Sequence, residues 1–206
     1  MILIGRLLSP FVRRVQVTLN LLGLECERKP YGTATHGDEI GAINPLRRVP
    51  ALILDDGETL IDSNAILDYL DERVGPGRAL IPASGAKRRK VLKLLALAVG
   101  AAEKGVIAFY EKTRRPDDKV WDQAFEAYSD QVLGGLQAIE QAAPENGGWL
   151  AGLEMSQADI TTAVVIEFID VVLPDLIGEN DLPRLRALVL RLNALEGFSS
   201  THPSRE

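Results

Sequence analysis

The stretch that decides the fold spans residues 44–70 and reads NPLRRVPALILDDGETLIDSNAILDYL. Apolar runs at residues 50–54 and 58–61 flank an Asp-Asp-Gly turn at residues 55–57, a signal typical of antiparallel strands. From Asp62 onward, apolar residues recur at helical spacing, so a helix follows the second strand directly. The stretch therefore predicts a β-hairpin followed by a helix.

The residues before this stretch alternate between strand and helix patterns. Residues 2–5 predict an apolar strand, and Ser9 followed by Pro10 opens a helix with one apolar face. Residues 25–31 predict a second strand, and a glycine-broken stretch at residues 36–43 predicts a short second helix. The predicted order is strand, helix, strand, helix, strand, strand, helix.

The second part of the chain carries only helical patterns. A segment containing glycine and proline at residues 77–85 predicts a linker between a strand-bearing domain, residues 1–76, and an all-helical domain, residues 86–206. We expect the last residues, 199–206, to be loose. The predicted helices of the second domain span residues 86–112, 117–142, 157–173 and 183–195.

Composition argues against several function classes. Asp and Glu number 29 against 23 Lys and Arg, and the net charge of −6 argues against nucleic-acid binding. The longest apolar helical stretch, residues 91–102, contains a lysine and is too short to span a membrane. Cys26 is the only cysteine, which excludes an intramolecular disulfide and a cysteine-rich metal site. With no export-signal pattern, these features predict a cytoplasmic protein.

Ser9 and Pro10 predict a helix N-terminus shortly after the first strand. The unpaired N–H groups and the dipole of such a terminus favour a bound anion. Taken alone, a serine before proline is more often an ordinary N-cap, whose hydroxyl bonds a backbone N–H of its own helix.

Two further pairs of residues lie at the ends of the predicted hairpin. Pro50 opens a strand, and a cis bond there would turn the N–H and C=O of Val49 toward a ligand; a plain strand-start proline fits equally well. Asp62 and Ser63 begin the following helix with a carboxylate, a hydroxyl and free amides, which suits the head group of an amino acid. Helix capping alone also explains this pair.

Four stretches, in this order and spacing, carry a resemblance to a known family. They are SPFVRRV at residues 9–15, NPLRRVPAL at 44–52, ETLIDSNAILDYL at 58–70 and GLEMSQADI at 152–160. Over essentially the whole chain they resemble the glutathione transferase family. The resemblance implies an α/β plus all-α fold, with an N-terminal thioredoxin-like domain and an all-helical C-terminal domain. It also implies a cytosolic homodimer that takes part in detoxification, with glutathione as co-substrate and no metal.

The last of these stretches has a structural interpretation. Ser156 and Asp159 fit a capping box, and Met155 and Ile160 are placed as a hydrophobic staple. The motif therefore predicts the start of a helix and no catalytic role.

Residue by residue, the resemblance implies a binding site for glutathione. Ser9 donates to the sulfur, and Val49 pairs with the cysteinyl backbone beside cis Pro50. Asp62 and Ser63 hold the γ-glutamyl end.

The resemblance is less specific for the glycine carboxylate and for the second substrate. Basic candidates for the carboxylate are His36, Arg47 and Arg48, although the double arginine departs from the Gly-Lys pair common at this place in the family. An apolar electrophile is expected between the first domain and the first two helices of the second. The candidate walls of its pocket are Phe11, Ile107 and Tyr110.

Ser9 also indicates the type of reaction. A thiol of pKa about 8.5 is only a few per cent thiolate at neutral pH, and the thiolate is the nucleophile. A hydroxyl and a helix N-terminus stabilise a bound thiolate, whereas a cysteine in place of Ser9 would support disulfide exchange. Ser9 therefore favours conjugation. Cys26 is interpreted as a packing residue, and Arg13 either strengthens the local positive field or lies on a solvated helix face.

Two alternatives keep the same fold. One is a non-catalytic glutathione-binding or regulatory protein. The other is a glutathione-dependent peroxidase or dehalogenase, which would use the same activated thiolate.

Overall fold

A computed structural model of the chain describes residues 1–178 and 181–205. These residues form two compact units, one of residues 1–83 and 192–205 and one of residues 84–191. The first unit contains the sheet, and the second is helical. The predicted fold class, a thioredoxin-like α/β region followed by an all-helical region, is confirmed.

A four-stranded sheet in the order β2-β1-β3-β4 forms the centre of the first unit. The strands are β1 (Ile2–Ile4), β2 (Glu27–Lys29), β3 (Ala51–Ile53) and β4 (Thr59–Ile61). β1 pairs in parallel with β2 and antiparallel with β3, and β3 pairs antiparallel with β4. The predicted hairpin is confirmed, since the N–H of Leu54 donates to the C=O of Glu58 at 2.8 Å across the turn.

Helices cover both faces of this sheet. They are α1 (Pro10–Leu21), α2 (Gly37–Ile43) and α3 (Ser63–Val74). Because successive strand residues point to opposite faces, Leu3 and Leu52 pack among apolar residues of α1 and α3. Ile4 and Ala51 pack on the other face with Ile40 of α2. The three layers bury the alternating apolar pattern of the strands on both sides.

The second unit is a helical bundle. Its helices are α4 (Gly85–Thr113), α5 (Asp122–Ala142), α6 (Gln157–Val172) and α7 (Pro183–Asn193), the last of which continues into the first unit. α6 is buried on nearly every side, and Gly105 of α4 allows close packing there, since a Cβ would lie 2.5 Å from Cδ1 of Ile169. No helix within residues 1–178 and 181–205 combines the length and apolarity needed to cross a bilayer.

The start of α6 confirms the predicted capping box. The N–H of Ser156 donates to Oδ2 of Asp159 at 2.8 Å, and the N–H of Leu150 donates to Oδ1 at 2.7 Å. Burial raises the pKa of Asp159, while the hydrogen bonds to its carboxylate act in the opposite direction.

The predicted start of another helix is wrong: the helix predicted from residue 117 begins at Asp122, after a short 3-10 helix.

The C-terminal residues differ from the sequence-based expectation. From residue 192 they group with the first unit instead of the helical one, and they include a short helix, α8 (Glu196–Ser199). The loose tail predicted for residues 199–206 is wrong for the described residues 199–205, because Thr201 is only 3% exposed and accepts a hydrogen bond from Nε of Arg13 at 3.1 Å. Residue 206 lies outside the described residues. The guanidinium of Arg13 also lies 4.7 Å from the ring centre of Phe198. These contacts attach the C-terminal residues to α1.

Gly5, between β1 and α1, packs against two other segments of the first unit. Its φ is +135°, and an added Cβ would lie 2.4 Å from Cγ2 of Val12 and 3.0 Å from Cβ of Val49. Val12 belongs to the opening turn of α1, and Val49 precedes β3. The absence of a side chain at Gly5 therefore lets these two segments pack close together.

We expect Gly5→Ala to destabilise the protein by about 3 kcal/mol or more, because the added methyl group overlaps Val12 and the backbone is strained at positive φ. Gly57→Ala is a matched control, since Gly57 has φ +91° and nothing within 4 Å of an added Cβ. Its backbone strain alone should cost about 1–2 kcal/mol. Urea unfolding measures both losses, and equal losses would contradict the importance of the close contact.

Candidate functional site

Ser9 occupies the N-cap of α1. Its Oγ accepts a hydrogen bond from the N–H of Val12 at 3.4 Å, and Pro10 is the first helical residue. A hydroxyl has one donor and two acceptor lone pairs, so capping leaves its proton available. Within the described residues that proton has no acceptor, and Ser9 is partly exposed. The N-cap and ligand-donor interpretations are therefore compatible.

The Val49–Pro50 bond is cis, as the resemblance implies. Among residues 1–178 and 181–205, neither the N–H nor the C=O of Val49 has a hydrogen-bond partner. Asn44, only 2% exposed, fixes the loop before it by donating to the C=O of Arg48 at 2.8 Å and accepting from the N–H of Leu46 at 3.0 Å. A firmly held loop thus presents a free main-chain donor and acceptor.

Asp62 and Ser63 lie where β4 passes into α3. Asp62 is exposed, has φ 71°, and caps α3 through Oδ1, which accepts from the N–H of Asn64 at 2.7 Å. Ser63 is only 3% exposed, and its Oγ accepts from Nη1 of Arg14 at 3.2 Å. The capping interpretation of Asp62 is confirmed, and the hydroxyl of Ser63 has a protein partner that the sequence did not predict.

Arg14 is the functional candidate that sequence reasoning missed. Its side chain is buried, and Nη1 donates to Ser63 and, at 3.1 Å, to Oδ1 of Asn64. Burial lowers the pKa of Arg14 to about 10, and the nearby carboxylate of Asp62 acts to raise it. The sequence feature that could have identified Arg14 is its position in the SPFVRRV motif, one residue after Arg13.

Arg13 does not lie on a solvated helix face, one of the two interpretations that the sequence left open. It is 1% exposed and contacts Thr201 and Phe198. Because its hydroxyl and aromatic partners come from residues far along the chain, the sequence pattern of α1 could not show that this charge is buried.

The basic candidates lie directly before and after α2. His36 stacks on Tyr31 with ring centres 4.9 Å apart, and its Nδ1 accepts from the N–H of Gly32 at 3.3 Å. Arg47 pairs with Asp38 at 3.4 Å. Arg48 is exposed, and its side chain has no partner within the described part of the chain. Of the two arginines, Arg48 is therefore the one without a competing ion pair.

The three predicted pocket walls fall in different units. Phe11 belongs to α1 and is partly exposed, whereas Ile107 and Tyr110 belong to α4. Ile107 is 41% exposed, and the guanidinium of Arg114 lies 3.5 Å from the ring centre of Tyr110. Their role as pocket walls stays a prediction.

Cys26 packs against the core of the first unit, and burial raises the pKa of its thiol. Its Sγ lies 3.4 Å from the C=O of Glu27. This environment matches the predicted packing role. In the described residues, no group of three or more His, Cys, Asp or Glu side chains is arranged to hold a metal ion.

Comparison with known proteins identifies the family. A sequence model described as "Glutathione S-transferase, N-terminal domain" matches residues 3–78. A crystal structure of a glutathione transferase family member from Pseudomonas fluorescens, with bound glutathione, is 31% identical, covers 98% of both chains and has a TM-score of 0.87. The chain belongs to the glutathione S-transferase family.

Two other relatives of this glutathione S-transferase family member carry different activity names. The maleylacetoacetate isomerase of Pseudomonas aeruginosa is 32% identical over 155 residues, which cover 71% of this chain and 71% of that protein. A glutathione S-transferase structure from Methylobacillus flagellatus, with glutathione bound, is 28% identical, covers 98% of both chains and has a TM-score of 0.91. Membership of the family is therefore established, and the reaction is a separate question.

The environment of Cys26 leads to a labelling prediction. Because burial raises its pKa, less of the thiol is ionised at neutral pH, and we expect it to react with iodoacetamide more slowly than N-acetylcysteine does. Labelling should accelerate as the pH rises and should vanish in Cys26→Ala, which removes the only thiol. Mass spectrometry measures the rate; faster labelling than the small thiol at neutral pH would contradict the packing role.

Proposed function

We propose that this protein is a glutathione transferase in which Ser9 stabilises the thiolate of glutathione for attack on an apolar electrophile. The observation that carries the proposal is the state of the Ser9 hydroxyl, whose oxygen caps α1 while its proton has no acceptor in the described residues. A glutathione sulfur in front of the helix would accept a hydrogen bond from this hydroxyl. Bound glutathione in two related structures supports glutathione as the thiol.

The first unit offers complementary groups for the rest of the tripeptide. The N–H and C=O of Val49, next to cis Pro50, would pair with the cysteinyl backbone as a short strand does. Asp62, exposed at the start of α3, would accept from the γ-glutamyl ammonium. Ser63 and the N-terminal amides of α3 would donate to the carboxylate of the same residue. For the glycine carboxylate we propose Arg48 and His36.

Ser9 and the N-terminus of α1 can provide the free energy needed to lower the pKa of the glutathione thiol. Lowering a thiol pKa by about two units requires about 2.7 kcal/mol in favour of the thiolate. One hydrogen bond to a charged group contributes about 1.5–3 kcal/mol, and a helix N-terminus adds about 0.3–1 kcal/mol. Ser9 at the N-cap of α1 supplies both contributions, so no further base is needed.

The second substrate and the cellular setting are proposed by analogy with the family. We propose that Phe11, Ile107 and Tyr110 contact an apolar electrophile, since they provide aromatic and aliphatic surface. The partly exposed Phe11 and the 41% exposed Ile107 have surface left for such a contact. A cytoplasmic homodimer active in detoxification is the proposed setting.

A second candidate function is glutathione-dependent isomerisation. The match to the maleylacetoacetate isomerase of Pseudomonas aeruginosa favours it. Chemically, a thiolate that adds reversibly to a conjugated double bond allows rotation about that bond before it leaves, so the same Ser9-stabilised thiolate would serve. The two functions differ in whether the thiol is recovered.

We expect Ser9→Ala and Ser9→Gly to raise the pKa of the bound thiol by about one to two units, because both remove the hydroxyl donor. Glycine is a good N-cap and alanine a poor one, so only Ser9→Ala should also lose about 1 kcal/mol of stability. Thiolate absorbance in a pH titration of the glutathione complex reports the pKa, and thermal unfolding reports the stability. An unchanged titration in both variants would contradict the role of Ser9.

Counting thiols against product separates the candidate functions. Conjugation consumes one thiol per product, peroxide reduction consumes two thiols per peroxide, and isomerisation of a cis-enedione consumes none. We expect one thiol consumed per molecule of an aryl halide or other apolar electrophile converted. Conversion of the enedione without thiol loss would favour the isomerase, and tight glutathione binding with no turnover of any substrate would favour the non-catalytic alternative.

A further inference from the structure

The surroundings of Arg14 are unusual for a buried charge. The residue is only 2% exposed, and no carboxylate forms an ion pair with it in residues 1–178 and 181–205. Nη1 is shared between Ser63 and Asn64, while Nε is buried and lacks a hydrogen-bond partner. A buried cation normally has a compensating anion, and here the neutral oxygens of two side chains take that place.

The chemistry of arginine fixes the direction of the hydrogen bonds around it. A guanidinium has donors and no acceptor, so the Oγ of Ser63 must accept from Arg14 and its own proton must point elsewhere. No acceptor for that proton lies in the described chain, although Ser63 is only 3% exposed. The Oδ1 of Asn64 also accepts from Arg14, which directs the amide NH₂ away from the guanidinium. Both side chains are therefore left with donors to offer.

We propose that Arg14 is a positioning residue that makes the start of α3 selective for a carboxylate, by holding Ser63 and Asn64 as hydrogen-bond donors. The proposal rests on the proposed function and identifies what selects the γ-glutamyl α-carboxylate. That carboxylate accepts a hydrogen bond from the hydroxyl of Ser63 and places a second negative charge, besides that of Asp62, near the buried guanidinium, which has no ion-pair partner in the described residues. The exposed carboxylate of Asp62, whose charge is opposite to that of Arg14, suits the neighbouring ammonium. The two residues therefore distinguish the α-carboxylate of the γ-glutamyl group from its ammonium.

Substitutions that differ in hydrogen-bonding capacity test this role. Lysine, like arginine, has donors only, so Arg14→Lys should keep Ser63 as a donor. Glutamine offers an acceptor oxygen, so in Arg14→Gln the proton of Ser63 can turn inward and the charge is lost. Arg13→Gln is the matched control, because it removes the adjacent buried arginine, which contacts Thr201 and Phe198 of the C-terminal residues.

The readout is the ratio of two dissociation constants, measured by calorimetry for glutathione and for γ-aminobutyryl-cysteinyl-glycine, which lacks only the α-carboxylate. We expect the wild-type protein and Arg13→Gln to prefer glutathione by about tenfold or more, as a hydrogen bond to a charged group provides. The ratio of the two dissociation constants should fall to about one in Arg14→Gln. In Arg14→Lys the preference for glutathione should be reduced but still present. If the role of Arg14 were purely structural, its substitution would weaken the binding of both peptides equally.

The outcomes distinguish this proposal from the proposed function. If the wild-type protein prefers glutathione and Arg14→Gln keeps the same preference, the role of Arg14 is overturned and the proposed function stands. If Arg14→Gln does not fold, Arg14→Lys and Ser63→Ala provide the test. Complete loss of the preference for glutathione in Arg14→Lys, as in Ser63→Ala, would overturn the role of Arg14. A reduced preference in Arg14→Lys supports that role. A wild-type protein that binds neither peptide would overturn the proposed function and this proposal together.

Discussion

The close packing around Gly5 is the constraint on which the candidate site depends. With no side chain at this position, the first turn of α1 and the loop before β3 both contact the same backbone, through Val12 and Val49. Ser9 begins α1 and Val49 precedes the cis proline, so the hydroxyl and the free main-chain groups belong to segments that meet at one glycine. A side chain there would separate the group proposed to bind the sulfur from the groups proposed to bind the peptide.

Two serines in the first unit follow the same chemical logic. Ser9 accepts from the backbone of α1, and Ser63 accepts from a buried guanidinium, so each oxygen is occupied by the protein. In both cases the proton is left without an internal acceptor in the described chain. Each serine is therefore fixed in orientation by its acceptor role, and its hydroxyl proton is available for the ligand proposed above. If glutathione binds as proposed, neither hydroxyl would need to reorganise, which is the general advantage of preorganised polar groups.

The sequence predicted the features that depend on local patterns. The hairpin, the helix start at Ser9 and the capping box before α6 each rest on residues a few positions apart, whose chemistry does not depend on the rest of the fold. The sequence did not predict the burial of Arg13 and Arg14, because their partners are Thr201 and Ser63, distant along the chain. The ordered C-terminal residues were missed for the same reason, since polar residues without periodicity resemble a loose tail until their partner is known.

The attachment of the C-terminal residues to α1 means that the thioredoxin-like unit is not one continuous stretch of polypeptide. Residues 1–83 contain the whole sheet, yet Arg13 finds its hydroxyl and aromatic partners only after more than 180 further residues have been made. During ribosomal synthesis the sheet would form while the surface of α1 that receives Phe198 is still bare. The first unit would thus begin to fold before all of its residues have been made, and an isolated N-terminal fragment would lack Thr201 and Phe198, two residues that contact the buried Arg13.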